Sequence, residues 1–289
     1  MKCFGITQDP KTLNYALVLE FMKSDLRTYL NQNFNSITWE QKLIIICHIC
    51  YGLHIIHENK LIHKDLHPGN ILNDNIRTLI SDFGFSIPAN EILSNSNEKN
   101  IYGVMPYIAP EILREKSHTQ ASDVYSLGII INEIITMTTP FNNEPHDYVL
   151  ALDICHGKRP KIREETPKFL KELIQKCWDA IPENRPASKE IYDILTFNIK
   201  KVKNLEELSY NFNESTNVTT KSSLTMETHP QAIYTSRILN LPAHLPEPIN
   251  CPNQEEFISS RIIVQKKEQL NIPRSECLEC AITDFNKLT

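Results

Sequence analysis

The stretch that most constrains this chain is His63-Lys64-Asp65-Leu66-His67-Pro68-Gly69-Asn70, followed twelve residues after the asparagine by Asp82-Phe83-Gly84. Two carboxylates and an amide lie on short loops flanked by the apolar runs Leu61-Ile62, Ile71-Leu72 and Thr78-Leu79-Ile80, so they read as polar side chains set at strand ends. A hard divalent cation takes oxygen ligands, and one that is already phosphate-bound needs only one or two protein carboxylates. Asn70 and Asp82 suit that need. Asp65, five residues before Asn70, is spaced to accept or orient the proton of an attacking hydroxyl.

Further signals follow in order. A polar, Asn- and Ser-rich stretch over 85–102, without periodicity, reads as surface loop and ends in Gly103-Val104-Met105-Pro106-Tyr107-Ile108-Ala109-Pro110-Glu111. Ser122-Asp123-Val124-Tyr125-Ser126-Leu127-Gly128 opens a helix that stays apolar through Ile129-Ile130-Ile131 and Ile134-Ile135, with Ser122 or Asp123 suited to its cap. Trp178-Asp179-Ala180-Ile181-Pro182-Glu183-Asn184-Arg185-Pro186 comes last. On these motifs the chain resembles eukaryotic protein kinases of the tyrosine-kinase-like type over roughly residues 1–203. The resemblance implies an α+β fold with a mostly helical large lobe beside an incomplete β small lobe. Residues 1–22 become a small-lobe remnant and hinge, and 23–203 the large lobe.

The resemblance also implies roles. Asp65, His67 and Asn70 are the catalytic positions, with Asp65 as base or orienter of the acceptor hydroxyl, and Asn70 and Asp82 are the metal ligands. Leu19, Glu20, Met22, Asp25, Leu72 and Asp82 are the nucleotide-binding positions, with ATP and Mg2+ as cofactors and a protein Ser/Thr hydroxyl as acceptor. Asp123 is expected to accept backbone hydrogen bonds beneath the catalytic loop, and Arg185 to pair with Glu111. Lys64 replaces the family's arginine, His67 stands where Ser/Thr kinases carry a lysine, and Val104 where they carry a threonine. None of the seven glycines forms G-x-G-x-x-G, and Lys2 lies too near the first strand to be the third-strand lysine, so the small lobe reads as truncated at its N-terminus. The alternative reading is a pseudokinase, a protein-interaction module without catalysis. Retention of Asp65, Asn70 and Asp82 argues for the enzyme. A small-molecule phosphotransferase is disfavoured by Tyr107-Ile108-Ala109-Pro110-Glu111 and Arg185.

Local signals supply the rest. Cys3 to Thr7 and Tyr15 to Leu19 flank Gln8-Asp9-Pro10-Lys11 as a hairpin, and Ser24 or Asp25 caps a helix with Leu26, Tyr29 and Leu30 on one face. Thr38 and Gln41 form a capping box for a core helix running to about Glu58, and an amphipathic helix covers about Ser188 to Val202. A net charge of −5 with pI near 6.1 leaves no general basic field, so no nucleic acid is expected as partner. No apolar run is long enough to span a membrane, and a cytoplasmic or nuclear protein is expected. The Cys-x-x-Cys pairs Cys47/Cys50 and Cys277/Cys280 read as reduced thiols, with a shared zinc site disfavoured. From Asn204 onward the chain has no glycine and spaces its apolar residues singly, so 204–289 reads as a largely disordered tail with a short helix over Glu255 to Leu270.

Overall fold

The computed structural model describes residues 1–90, 101–203, 228–242, 245–251 and 253–262. Strands β1 (Cys3–Gln8) and β2 (Tyr15–Leu19) pair antiparallel from Cys3↔Leu19 to Gln8↔Tyr15, closed by a turn in which the Asp9 carbonyl accepts from Leu13 N–H at 2.9 Å. Almost every residue of both strands is exposed, including Ile6, Tyr15 and Leu17. The hairpin is therefore held by its own ladder and by Glu20, which donates N–H to Lys2 O at 2.8 Å and pairs its carboxylate with Arg77 at 2.9 Å.

A short strand, β3 (Ser24–Asp25), leads into α1 (Leu26–Gln32), whose cap is Asp25: its Oδ1 accepts from Thr28 N–H at 2.9 Å. Helix α2 (Trp39–Glu58) opens on the expected capping box, with Thr38 Oγ1 accepting from Gln41 N–H and Gln41 Oε1 from Thr38 N–H. Next come β4 (Leu61–Ile62), β5 (Ile71–Asn73), β6 (Thr78–Ile80), β7 (Ile87–Pro88) and β8 (Ile101–Gly103). β5 lies between β3 and β6 in one antiparallel sheet, and β4 pairs with β7. These small sheets hold the loops that precede Ile71 and follow Ile80. The notably polar stretch at 91–100 lies outside the described residues.

The helical body comprises α3 (Pro110–Leu113), α4 (Gln120–Thr136), α5 (Tyr148–Cys155), α6 (Lys168–Cys177) and α7 (Ser188–Lys203). α4 is buried from Ser122 to Thr136, and it packs on α6 while α2 packs on α7. A helix apolar on all sides belongs in such a centre. It starts two residues before Ser122, not at Ser122 or Asp123. Ser122 Oγ reaches back to accept from Thr119 N–H at 3.2 Å and donates to Thr119 O at 2.7 Å. That leaves the Asp123 carboxylate free to point away from its own helix end.

Residues 228–262, expected within a largely disordered tail, lie along the helical body wherever they are described. β9 (Arg237–Leu239) pairs antiparallel with β8, Gly103↔Arg237 through Ile101↔Leu239, and Leu239 and Leu245 join the hydrophobic core. Arg114 donates Nε to Leu245 O at 3.0 Å and pairs with Glu247. Farther on, Ile249 N–H donates to Cys155 O at 2.9 Å, Ala180 N–H to Asn250 Oδ1 at 2.9 Å, and Arg159 N–H to Gln254 Oε1 at 2.8 Å. Asp153 accepts from Ser260 N–H at 2.8 Å, and Arg261 meets Asp147. Gly157, at φ +93°, faces this segment so closely that a Cβ there would come within 2.5 Å of Cys251 N. Composition counts the apolar surface a segment can bury on itself, whereas here the partners are supplied by the lobe. Of the short helix expected over Glu255 to Leu270, residues 255–259 are turn and irregular chain and only 260–262 are helical; 263–270 and 204–227 lie outside the described residues.

Candidate active site

The catalytic loop is built on Asp123. Its Oδ2 accepts from His63 N–H at 2.8 Å and its Oδ1 from Lys64 N–H at 3.0 Å, and His57 Nε2 lies 3.0 Å from Oδ2. Lys64 adopts φ 73°, a left-handed conformation that a side chain other than glycine holds only when its surroundings over-determine it. Two amide donors on one buried carboxylate do that. The His63 ring adds a contact between Nε2 and Ser81 O at 2.9 Å, which ties the loop to the segment bearing Asp82.

Asp65, 6% exposed, stands at the floor of the site. Asn70 Nδ2 donates to Asp65 O at 2.9 Å and to Asp65 Oδ2 at 3.2 Å, so the amide nitrogen is committed inward and the amide oxygen is the atom it can offer a cation. His67 Nδ1 accepts from Gly69 N–H at 3.1 Å. An imidazole that accepts at Nδ1 carries its proton on Nε2. That nitrogen is 2.9 Å from Ser236 Oγ, and Ser236 in turn donates to Asp65 Oδ2 at 2.7 Å. Burial pushes the Asp65 carboxyl up, but the hydrogen bonds from His67 and Ser236 and the nearby imidazoles outweigh it and hold the group below the ordinary carboxylate range.

Asp65 is thus the common neighbour of the Asn70 amide and of His67, whose Nε2 lies 3.6 Å from Asp65 Oδ2. Asp82 joins them through the backbone: Ser81 donates both N–H and Oγ–H to Asn70 O, each at 2.8 Å, and Asp82 follows at φ 60° with its carboxylate exposed and accepting from Gly84 N–H at 3.3 Å. An amide oxygen and a single carboxylate are hard donors but too few to enclose a cation alone. Among the described residues no group of three or more His, Cys, Asp or Glu side chains is assembled for one. The donor set suits a cation that shares its shell with phosphate oxygens.

Of the positions implied for the nucleotide, Asp82 belongs to this cluster, and the other five stand on or just after the hairpin and on the β3–β5 pair. Glu20 is occupied by Lys2 and Arg77, Asp25 by its helix cap, and Leu72 pairs opposite Asp25 in the sheet. Met22 is buried at the base of the hairpin and Leu19 is exposed. Val104 is buried and offers Asp65 no hydroxyl. Gly103, at φ +140°, leaves room that a Cβ would take from Asp65 Oδ1, 3.3 Å away.

Several residues of the site carry no sequence signal. Ser236 stands in a polar stretch without a motif. Arg27 donates Nη2 to Tyr107 Oη at 3.2 Å and Nη1 to Tyr234 O at 2.7 Å, and Tyr107 Oη donates to buried Glu133 Oε2 at 2.5 Å. Burial raises Glu133 to about 7 against the opposing pull of Arg27 and the Tyr107 hydrogen bond. Tyr107 lies within the Pro106 to Glu111 motif, but nothing in the apolar helix around Glu133 announces this chain of contacts. At the far end of that motif, Arg185 forms a parallel fork to Glu111, Nη1–Oε1 at 2.7 Å and Nη2–Oε2 at 2.8 Å.

A buried carboxylate steadied by an asparagine amide, on a loop pinned by a helix Asp and followed by an Asp-Phe-Gly turn, is the arrangement that the resemblance to protein kinases implies. The chain belongs to the protein tyrosine and serine/threonine kinase family, whose model matches residues 1–195. It is 30% identical over 214 residues to a protein kinase and PP2C-like domain-containing protein of Arabidopsis thaliana, covering 63% of this chain and 32% of that one. It is 31% identical over 184 residues to the serine/threonine/tyrosine-protein kinase HT1 of the same plant, covering 63% and 46%. To the dual specificity protein kinase shkC of Dictyostelium discoideum it is 32% identical over 178 residues, covering 60% and 35%. The matched part thus spans less than half the length of these relatives. No helix among the described residues is long and apolar enough to cross a membrane.

Proposed function

We propose that this chain transfers the γ-phosphoryl group of ATP to Ser or Thr hydroxyls of proteins. The observation that carries the reading is the hydrogen-bonded unit of Asp65 and Asn70 on a loop whose backbone is anchored by Asp123. Catalysis of this kind is positioning plus electrostatics, and such a unit supplies positioning. Asp65 Oδ2 accepts the hydrogen bond of the acceptor hydroxyl and turns a lone pair of that oxygen toward phosphorus. Asn70, through its amide oxygen, and Asp82, through its exposed carboxylate, are the residues that would hold magnesium. Held there, such an ion would supply neutralisation of the charge that develops during phosphoryl transfer. His67 Nε2–H, in the place of the family's lysine, steadies the acceptor oxygen. Leu19, Glu20, Met22, Asp25 and Leu72 are the residues proposed to line the nucleotide, and a cytoplasmic or nuclear location belongs to the same reading.

Labelled ATP with magnesium and an added protein substrate tests this directly. Transfer by the full chain, lost in Asp65→Asn, is expected; equal transfer by the two proteins overturns it. The second reading, an interaction module without catalysis, is favoured by the lack of a G-x-G-x-x-G run among the seven glycines. Absence of transfer by the wild-type chain supports it.

A further inference from the structure

The chain carries its own acceptor hydroxyl to the catalytic aspartate. We propose that residues 228–242 occupy the protein-substrate groove of the same molecule and that Ser236 is a self-phosphorylation site, an inference that rests on the kinase reading above.

Three independent contacts seat this segment. Ser236 lies between His67 Nε2 at 2.9 Å and Asp65 Oδ2 at 2.7 Å, so its hydroxyl receives one hydrogen bond and gives one. On its C-terminal side, β9 adds a strand to β8, the end of the segment that follows the Asp-Phe-Gly turn. Strand addition fixes the backbone register of a bound peptide. On its N-terminal side, Arg27 donates to Tyr234 O at 2.7 Å with its guanidinium 5.1 Å from the Tyr234 ring centre. Tyr234 Oη donates to Pro140 O at 2.9 Å, and His146 bridges Ile233 O and, through its own carbonyl, Arg237 Nη2, each at 3.0 Å. The neighbouring Thr235 is exposed, so the register selects one hydroxyl of the two.

The relay sets the chemistry. His67 Nε2–H points at Ser236 Oγ and the Ser236 proton points at Asp65, which leaves an oxygen lone pair for phosphorus. Ser236 Oγ forms a bond to the γ-phosphorus of ATP as the bond from that phosphorus to the β,γ-bridging oxygen breaks. ADP leaves with the electron pair, and the hydroxyl proton passes to Asp65 and then to solvent. The product places a phosphate dianion against the Asp65 carboxylate. Like charges at that distance repel, so phosphorylation expels the segment and opens the groove to other proteins.

The experiment uses the full chain with magnesium and γ-labelled ATP over an about tenfold range of protein concentration, with and without an added protein substrate, and maps the label by mass spectrometry. The expected result is label on Ser236 at a fractional rate independent of protein concentration. Ser236→Ala abolishes it while the added substrate is still phosphorylated, and Ser236→Thr moves it to the new threonine. Phosphorylation of the added protein with Ser236 unlabelled, or a fractional rate proportional to concentration, overturns the inference and leaves the kinase reading standing. No label on either acceptor overturns both. Hydrogen exchange without nucleotide tests the seating separately: slow exchange over Ile101–Gly103 and Arg237–Leu239, accelerated about tenfold or more in Ser236→Glu, is expected. Rates already at the unprotected limit in the wild-type chain overturn it.

Discussion

Removing Glu111 from its fork with Arg185 tests the energetics of the helical body. The Arg185 side chain is fully buried, its guanidinium lies 5.2 Å from the Tyr125 ring centre, and two parallel N–H···O bonds reach Glu111. Glu111→Ala leaves a buried guanidinium with only carbonyl acceptors: Asp179 O at 2.8 Å, Ala121 O at 3.0 Å and Ala180 O at 3.4 Å. Breaking a buried pair from one side costs about 3–5 kcal/mol. At about 2–4 °C per kcal/mol for a body of this size, the Tm falls by roughly 6–20 °C. Glu111→Gln keeps one acceptor and the shape, so its cost drops to roughly 1.5–3 kcal/mol. Changing both partners, Glu111→Leu with Arg185→Met, removes the stranded charge, and the remaining loss comes from the carbonyls of Asp179 and Ala121, about 1 kcal/mol each, and from the longer contact to Ala180 O. The double variant should therefore be more stable than Glu111→Ala despite losing more contacts. Urea denaturation followed by circular dichroism gives the order. A Glu111→Ala protein within about 1 kcal/mol of wild type, at unchanged m value, would falsify the reasoning.

Two further outcomes follow from other contacts. Glu133 titrates near 7 when folded and at its ordinary lower value when unfolded, so the folded state binds the extra proton between about pH 4.5 and 7. Its contribution is full below that window and is lost as pH rises through it, by up to roughly 3 kcal/mol. Because burial lowers His118 to about 4 and gives a slope of the opposite sign over part of the range, the quantity to measure is the difference between wild type and Glu133→Gln. As pH rises from 4.5 to 7.5 the wild-type midpoint should fall relative to that of Glu133→Gln; parallel curves would refute the assignment. Gly157→Ala places a Cβ against Cys251 N and Ile249 O at a positive φ, so it should lift the segment after Glu247 from the lobe. Exchange of the Ile249 amide, bonded to Cys155 O, should then speed up about tenfold or more while the α2 amides stay protected.

Much of this molecule is legible from residues close together in the chain. The hairpin, the Thr38 and Gln41 capping box and the buried α4 follow from turn chemistry, side-chain capping and an unbroken apolar run, all local effects. The loop from His63 to Asn70 and the Asp-Phe-Gly turn are legible through their resemblance to protein kinases, the family to which the chain belongs, and the Arg185 to Glu111 pair belongs to the same set of motifs. Tertiary structure alone decided three things. It set the start of α4 two residues early, because Ser122 turned its hydroxyl back on Thr119 and released Asp123 to the catalytic loop. It joined Arg27, Tyr107 and Glu133 across 106 residues of chain, a connection no periodicity encodes. It also seated described residues between His229 and Arg261, whose scattered apolar side chains and the hydroxyls of Tyr234, Ser236 and Ser259 find their partners on a surface built by residues 27 to 185. A segment's own composition measures what it can bury by itself, and this one is ordered by what another part of the chain leaves open.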